Sequence, residues 1–191
     1  MKKCIYIFLH YINNYVKKEK REETKLDIFY NTVKEICEKN TKVAMFIDMD
    51  GTIVEYPVYL EGEISTNSKG KFSDGRPVEL IINKLKKINE MKNIDLYILT
   101  LSKSNIIVEE KKEWLKKHVN FIKEENWIII NKEKGEYNRE NRDIIKAMKM
   151  KEKLSEYDCL ILLDDDHKIL KQTKLELKDK GYVYHISSAI I

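Results

Sequence analysis

The sequence predicts an α/β fold in which helices flank a Rossmann-like parallel β-sheet. From Thr41 onward, short apolar segments alternate with segments whose apolar residues recur at helical spacing, and two of the apolar segments end in clustered aspartates. This alternation is typical of parallel sheets covered by helices on both faces. We predict strands at 43–48, 95–100, 127–130, 159–163 and 182–185, and helices at 77–90, 108–118, 140–153 and 167–179.

Two carboxylates directly follow the first predicted strand. The apolar run 43–47 suits a strand buried on both faces, and Asp48 and Asp50 come next. Open parallel sheets bind ligands at the carboxyl ends of their strands, and Gly51 permits a tight turn that directs Asp50 back to that edge. Carboxylates so close repel each other unless a cation lies beside them, and Mg²⁺ prefers carboxylate and phosphate oxygens. We therefore expect a magnesium site here.

Polar residues also end two later predicted strands. Thr100 is the last residue of the strand at 95–100, where its hydroxyl can bind a phosphate oxygen. The hydroxyl of Ser102 can bind the phosphate in its place or together with it. The apolar strand at 159–163 ends in three consecutive carboxylates, Asp164, Asp165 and Asp166. This acidic run is the expected partner of the first aspartates. Asp166 is either an alternative to Asp165 as the metal ligand or a helix N-terminal residue, where the helix dipole favours a negative charge.

A phosphate site of this kind needs a fixed cation, which stabilises both the carboxylate and the charged phosphoryl group. Lys132 and Lys134 follow the strand at 127–130, and Lys146 is a third, more distant candidate. With 36 lysines and arginines in the chain, any single lysine is a surface residue by default. The residues alone leave this choice open.

The motif DMDGT at 48–52, preceded by an apolar strand, resembles the first motif of the haloacid dehalogenase (HAD) superfamily of phosphatases and phosphotransferases. The resemblance implies a HAD-like parallel sheet, dependence on Mg²⁺ and a phospho-aspartyl intermediate. It implies that Asp48 is the nucleophile and Asp50 the general acid and base. It further implies that Asp165, the second acid of the later pair, holds the metal with Asp48 and the backbone carbonyl of Asp50. Thr100 matches the second motif.

The segment after the second motif resembles one particular branch of the superfamily. Glu110, Lys111, Trp114 and Leu115 match the Glu-Lys-x-x-Trp-Leu helix of the 5'-nucleotidase branch that contains the 5'(3')-deoxyribonucleotidases. In that branch the third-motif lysine follows a strand by a few residues, which favours Lys134 over Lys132. The resemblance implies a nucleoside monophosphate as substrate. The insertion between the first two motifs is shorter here than the helical cap of that branch.

The chain of 191 residues suits one domain with an appendage. We predict a helical N-terminal extension at 1–40 and a phosphatase domain at 41–191. Within that domain, residues 53–76 hold three of the six glycines and show little periodicity, so we expect a short flap in place of a full cap. The oligomeric state is left open.

Composition limits the kinds of substrate, partner and cell compartment that we expect for this protein. The net charge of +4 suits a small anionic substrate and predicts no stable nucleic-acid partner. The apolar stretch near the N-terminus is too short to span a bilayer and lacks a small-residue cleavage site, so we expect a cytoplasmic protein without membrane attachment. Three widely spaced cysteines without a CxxC pair indicate a reducing compartment and neither a zinc site nor a disulfide framework.

Two other functions remain open at this point. A phosphatase without a full cap can admit large substrates, so it can act on polynucleotide ends, and a basic groove would then give steeply salt-dependent binding. The other alternative is a catalytically silent HAD-like module whose N-terminal helices bind a partner. The complete set of Asp48, Asp50 and Asp165 favours an enzyme over this binding module.

Overall fold

The computed structural model describes residues 27–55 and 72–190, which form a five-stranded parallel sheet with helices on both faces. The strands are β1 (Val43–Ile47), β2 (Ile94–Ser102), β3 (Trp127–Asn131), β4 (Cys159–Asp164) and β5 (Gly181–His185). The helices are α1 (Ile28–Lys39), α2 (Glu79–Asn89), α3 (Asn105–His118), α4 (Ile145–Lys151) and α5 (His167–Leu177). Short 3₁₀ turns occupy Phe72–Asp74, Glu124–Asn126, Lys178–Lys180 and Ile186–Ala189.

The strand order is β3-β2-β1-β4-β5, with every neighbouring pair parallel. The direction of strand succession reverses between β1 and β4, and the crevice at such a switch point is where open α/β sheets bind ligands. In the register of these two strands Ile47 pairs with Leu163. The next residues, Asp48 and Asp164, are therefore neighbours at the carboxyl edge of the sheet.

The core has two parts, one on each face of the sheet. Helices α1, α2 and α3 cover one face, with Val33, Leu85 and Trp114 buried there. Helices α4 and α5 cover the other face with residues such as Met150 and Ile169. Strand side chains alternate between the two faces, which explains why β1 and β4 are apolar throughout.

The predicted α/β fold is confirmed, and the main difference concerns one helix. We predicted a helix at 140–153, whereas α4 begins only at Ile145. Before it, the side chains of Asn138 and Asn141 accept hydrogen bonds from nearby backbone amides at 2.7–3.0 Å. Such local bonds compete with helix formation and hold this stretch in turns.

Helix α1 belongs to the predicted extension, and its apolar side chains are part of the core on the face that α2 and α3 also cover. The helical pattern predicted before residue 27 and most of the predicted flap lie outside the described residues. The division at residue 40 therefore stays a prediction. Within residues 27–55 and 72–190, no helix combines the length and the apolar character needed to cross a membrane.

Candidate active site

A buried lysine joins two aspartates at the switch point. Lys146 Nζ on α4 donates to Asp48 Oδ1 at 2.7 Å and to Asp164 Oδ2 at 2.6 Å. The side chains are almost fully enclosed, with exposures of 2% for Lys146, 7% for Asp48 and 0% for Asp164. A charge so deeply buried is tolerated only when it is paired and hydrogen-bonded. The lysine thus offsets the repulsion between the two carboxylates and fixes one oxygen of Asp48.

The pKa values of these groups follow from burial and pairing. Burial raises the pKa of Asp164 to about 6; Lys146 acts against this rise, while Asp48 adds to it. Burial alone would lower the pKa of Lys146, but Asp48 and Asp164 raise it above its ordinary value. The two carboxylates thus favour the charged form of the lysine and outweigh the effect of burial.

Asp50 is held by a second lysine. Lys111 Nζ on α3 donates to Asp50 Oδ2 at 2.5 Å, and Thr100 Oγ1 lies 3.4 Å from the same oxygen. Lys111 is buried, whereas the Asp50 side chain is 38% exposed. The two aspartates of the DMDGT motif thus pair with different lysines, which come from helices on opposite faces of the sheet.

Asp165 lies against the turn that follows β1. Gly51 has a φ of +73°, a left-handed conformation that favours glycine. A Cβ built on Gly51 would overlap Asp165 Oδ2 and approach Asp165 Cγ to 2.8 Å. Glycine is therefore required here both for the turn and for the close approach of the carboxylate. Burial, followed by the charge of Asp48, raises the pKa of Asp165.

The donor atoms fit a hard divalent cation. One carboxylate oxygen from each of Asp48, Asp164 and Asp165 lies within 4.8 Å of the others. Asp164 already uses Oδ2 for Lys146 and Oδ1 for the amide of Asp166 at 2.9 Å. Asp48 and Asp165 both line the cleft, and they are the residues that could hold Mg²⁺, an ion that binds oxygen ligands.

Asp166 has a different role. Its Oδ1 accepts from the amide of Lys168 at 2.8 Å and caps the N-terminus of α5. Its Oδ2 accepts from Arg142 Nη1 at 2.9 Å. Hydrogen bonds from Arg142 and from these amides outweigh the effect of burial and lower the pKa of Asp166. The geometry thus favours Asp165 over Asp166 as the metal ligand.

The acids open into a cleft of about 390 Å³. Nine charged side chains and five apolar or aromatic ones line it, so its wall is more polar than that of a typical small-molecule pocket. Cations other than the two buried lysines are supplied by Lys103 and Arg142. The apolar part of the wall consists of Phe72, Leu101, Ile107, Tyr137 and Ile169.

The structure does not bring Lys134 to the acids. Lys132 and Lys134 are exposed in the turn after β3, and neither lines the cleft. Lys146, the third of the candidate lysines, is the one that pairs with Asp48 and Asp164. The turn after β3 has its own bonds, including one from the Asn105 amide to Glu133 at 2.7 Å, and these bonds hold it beside the start of α3.

The predicted hydroxyls lie next to the site without lining the cleft. Thr100 is buried, and its hydroxyl is bound to Asp50 and to Lys111. Ser102 Oγ donates to the Ser104 carbonyl oxygen at 3.0 Å. Phosphate binding by Thr100 and Ser102 stays a prediction.

Lys111 and Lys146, the two buried lysines that pair with the acids of the site, carry a signal in the sequence that we did not use above. Lys146 lies four residues before Met150, and Lys111 lies three and four residues before Trp114 and Leu115. Side chains at these spacings share one face of a helix. Met150, Trp114 and Leu115 are all buried, so each lysine falls on the inward face of its helix. A lysine on a buried helix face requires an acidic partner, and this requirement distinguishes these two residues from the surface lysines.

Neither a family model nor a curated protein matches this sequence. Among solved structures, the chain is similar to the HAD domain of effector protein Lem4 from Legionella pneumophila, with 15% identity and a TM-score of 0.45. The match covers 76% of this chain and 87% of that domain.

Proposed function

We propose that the protein is a HAD-type, Mg²⁺-dependent phosphomonoester hydrolase that forms an aspartyl-phosphate intermediate on Asp48. One observation carries the proposal: Asp48, at the switch point of the sheet, is fixed by the buried Lys146 beside Asp165. A structural acid on a surface turn would need neither a buried cation nor an adjacent carboxylate. The arrangement suits a nucleophile that meets a phosphate dianion.

Asp48 and Asp165 would hold the Mg²⁺, with the backbone carbonyl of Asp50 as the ligand implied by the resemblance. When bound, the ion would offset the repulsion between the carboxylate nucleophile and the phosphate.

In the first step, Asp48 attacks phosphorus in line with the leaving group. Lys146 holds Oδ1 of Asp48, which leaves the other carboxylate oxygen to form the new bond. The bond from phosphorus to the ester oxygen breaks, and Asp50 donates its proton to that oxygen. The alcohol leaves, and the phosphoryl group remains on Asp48.

In the second step, Asp50, now ionised, takes a proton from a water molecule. The resulting hydroxide attacks phosphorus, and the bond to the Asp48 oxygen breaks to release inorganic phosphate. Lys146 remains charged throughout and stabilises both the carboxylate and the transferring group.

We further propose a nucleoside monophosphate as the substrate. The support comes from the cleft and from the resemblance of the Glu110–Leu115 helix segment to the deoxyribonucleotidase branch. A cleft of about 390 Å³ with aromatic walls at Phe72 and Tyr137 suits a base and a sugar. Lys103 and Arg142 add positive charge at its wall for an anionic substrate.

The test is phosphate release from p-nitrophenyl phosphate with Mg²⁺ and with excess EDTA. We expect activity with Mg²⁺ only, and no activity in either condition would contradict the proposal and favour the binding module. A panel of 5'- and 3'-nucleoside monophosphates and 3'-phosphorylated oligonucleotides then identifies the substrate class. A preference for oligonucleotides would replace the nucleotide assignment with the polynucleotide-end alternative.

Variants of the two motif aspartates test the mechanism. Asp48→Asn should abolish turnover and leave the fold intact, because the amide is no nucleophile. Asp50→Asn should lower kcat by about two to four decades, the usual contribution of general acid–base catalysis. Circular dichroism spectra provide the control for folding. Near-normal turnover by Asp48→Asn would remove the nucleophile from the proposed mechanism.

A further inference from the structure

We propose that Lys111 is a positioning residue for Asp50: it fixes the acid–base carboxylate and does not bind the phosphate. This inference rests on the proposed hydrolase function and concerns a residue for which the sequence analysis gave no role. It assigns the two buried lysines separate tasks. Lys146 serves the nucleophile, and Lys111 serves the acid and base.

The three hydrogen-bond donors of the Lys111 ammonium are all engaged. They bind Asp50 Oδ2 at 2.5 Å, Thr100 Oγ1 at 2.8 Å and the Leu101 carbonyl oxygen at 2.8 Å. An ammonium has three N–H donors, so these acceptors leave no donor for a phosphate oxygen. Lys111 is 1% exposed, so its ammonium reaches Asp50 from the protein interior.

Asp50 needs such support because its own surroundings are open. Its side chain is 38% exposed, and a carboxylate in that position can turn toward solvent. Thr100 and the Leu101 carbonyl belong to β2, so they tie the ammonium to the sheet. A general acid must lie within hydrogen-bond reach of the leaving oxygen, and small errors in placement are costly. Lys111 supplies the rigid connection between the sheet and this carboxylate.

The Lys111 ammonium also lies beside the 3₁₀ turn Phe72–Asp74, at the end of the predicted insertion. The Phe72 ring centroid lies 4.8 Å from Lys111 Nζ, within the range of a cation–π contact. The same helix binds this segment at two more points. Glu110 Oε2 accepts from the Phe72 amide at 2.7 Å, and Trp114 Nε1 donates to the Gly75 carbonyl oxygen at 2.7 Å. These contacts tie Phe72 and Gly75 to α3 beside the lysine.

The test compares substrates that differ in their need for a general acid. Dinitrophenolate leaves as a stable anion, whereas the alkoxide of a nucleoside must be protonated as it leaves. We would measure single-turnover release of both leaving groups, from 2,4-dinitrophenyl phosphate and from a nucleoside 5'-monophosphate, with Mg²⁺ present. Single turnovers report only the first step, so the second use of Asp50 does not enter the comparison.

We would compare Lys111→Met with Lys112→Met, the same change at a position of α3 whose side chain is 42% exposed. For Lys111→Met, we expect release of the nucleoside to slow about 100-fold more than release of dinitrophenolate, because the acid is misplaced. The KM for the nucleotide should stay within about threefold of wild type, because no phosphate contact is lost. Lys112→Met should match the wild type with both substrates.

Lys111→Gln guards against a folding defect, since its amide can still donate to Thr100 or to the Leu101 carbonyl oxygen, whereas the shorter, uncharged side chain no longer holds Asp50. It should show the same dependence on the leaving group, and melting temperatures with Mg²⁺ verify that each variant is folded. Equal slowing on both substrates would overturn the positioning role, and a large rise in KM would show that Lys111 binds the phosphate. A wild-type protein inactive on both substrates would instead overturn the proposed function itself.

Discussion

Replacing Lys146 by methionine is the most direct test of the site. The change keeps most of the side-chain volume and removes the charge that Asp48 and Asp164 share at 2.7 Å and 2.6 Å. Two carboxylates would then face each other without a cation in a position that solvent barely reaches. Breaking a buried ion pair by removing one partner costs about 3–5 kcal/mol of folding free energy. For a chain of this size, that corresponds to a fall in Tm of about 6–20 °C.

The assay is urea unfolding in EDTA at pH 7.5, followed by circular dichroism. The matched control is Lys149→Met on the same helix, where the lysine is partly exposed and pairs with the exposed Glu152. An exposed pair of this kind contributes about 0–1 kcal/mol, so the control should unfold close to the wild type. Lys146→Met and Lys149→Met with equal unfolding midpoints would refute the buried triad.

The pH dependence of this loss provides a second check. Lys146 lowers the pKa of Asp164, which burial holds at about 6 even with the lysine present. Without the lysine, the carboxyl should bind a proton at still higher pH and lose its charge. The destabilisation by Lys146→Met should therefore be smaller at pH 5 than at pH 7.5. A larger loss at the lower pH would contradict this account of the triad.

The kcat of the same variant tests which of the candidate lysines, Lys146 or Lys134, serves the site. Losing one preorganised charge at the reacting group typically lowers kcat by about 10²–10³-fold. We expect this loss for Lys146→Met and near wild-type kcat for Lys134→Met, since Lys134 is exposed and does not line the cleft. The opposite result would restore the lysine predicted from the sequence.

Three further outcomes are expected. Gly51→Ala should lower the free energy of unfolding in urea by about 1–2 kcal/mol, because the φ of Gly51 is +73°. The new Cβ would also displace Asp165, so half-saturation of the site should need about tenfold more Mg²⁺. In the folded protein the pKa of Asp164 is about 6, above its usual value of 3.8. The protonated carboxyl therefore stabilises the folded state fully below about pH 4, and this stabilisation is lost as the pH rises through 6. Relative to Asp164→Asn, metal-free wild type should therefore become more stable to urea as the pH falls from 7.5 to 5. Trp114→Phe should lose about 0.5–1.5 kcal/mol with its bond to the Gly75 carbonyl, and an unchanged urea midpoint would show that this bond does not hold the segment.

The sequence by itself determined the sheet and the first half of the site. An apolar run followed by Asp48, Asp50 and Gly51 is a local pattern, and it predicts both the strand and the turn that follows it. The acidic run after β4 gave the second set of carboxylates in the same way. Parallel strands bring their carboxyl ends to one edge of the sheet, so these two patterns predict that the acids are neighbours.

Only the tertiary structure decided which cations meet those acids. Lys146 lies 98 residues from Asp48 along the chain, and Lys111 lies 61 residues from Asp50. Helical spacing can place each lysine on the inward face of its helix, but which acid the lysine meets depends on how far along the sheet the helix packs, and no local pattern specifies that. A lysine side chain is long and flexible, so position in the sequence limits its reach only weakly. Packing of the apolar faces of α3 and α4 turned these two lysines inward and left Lys134 in solvent.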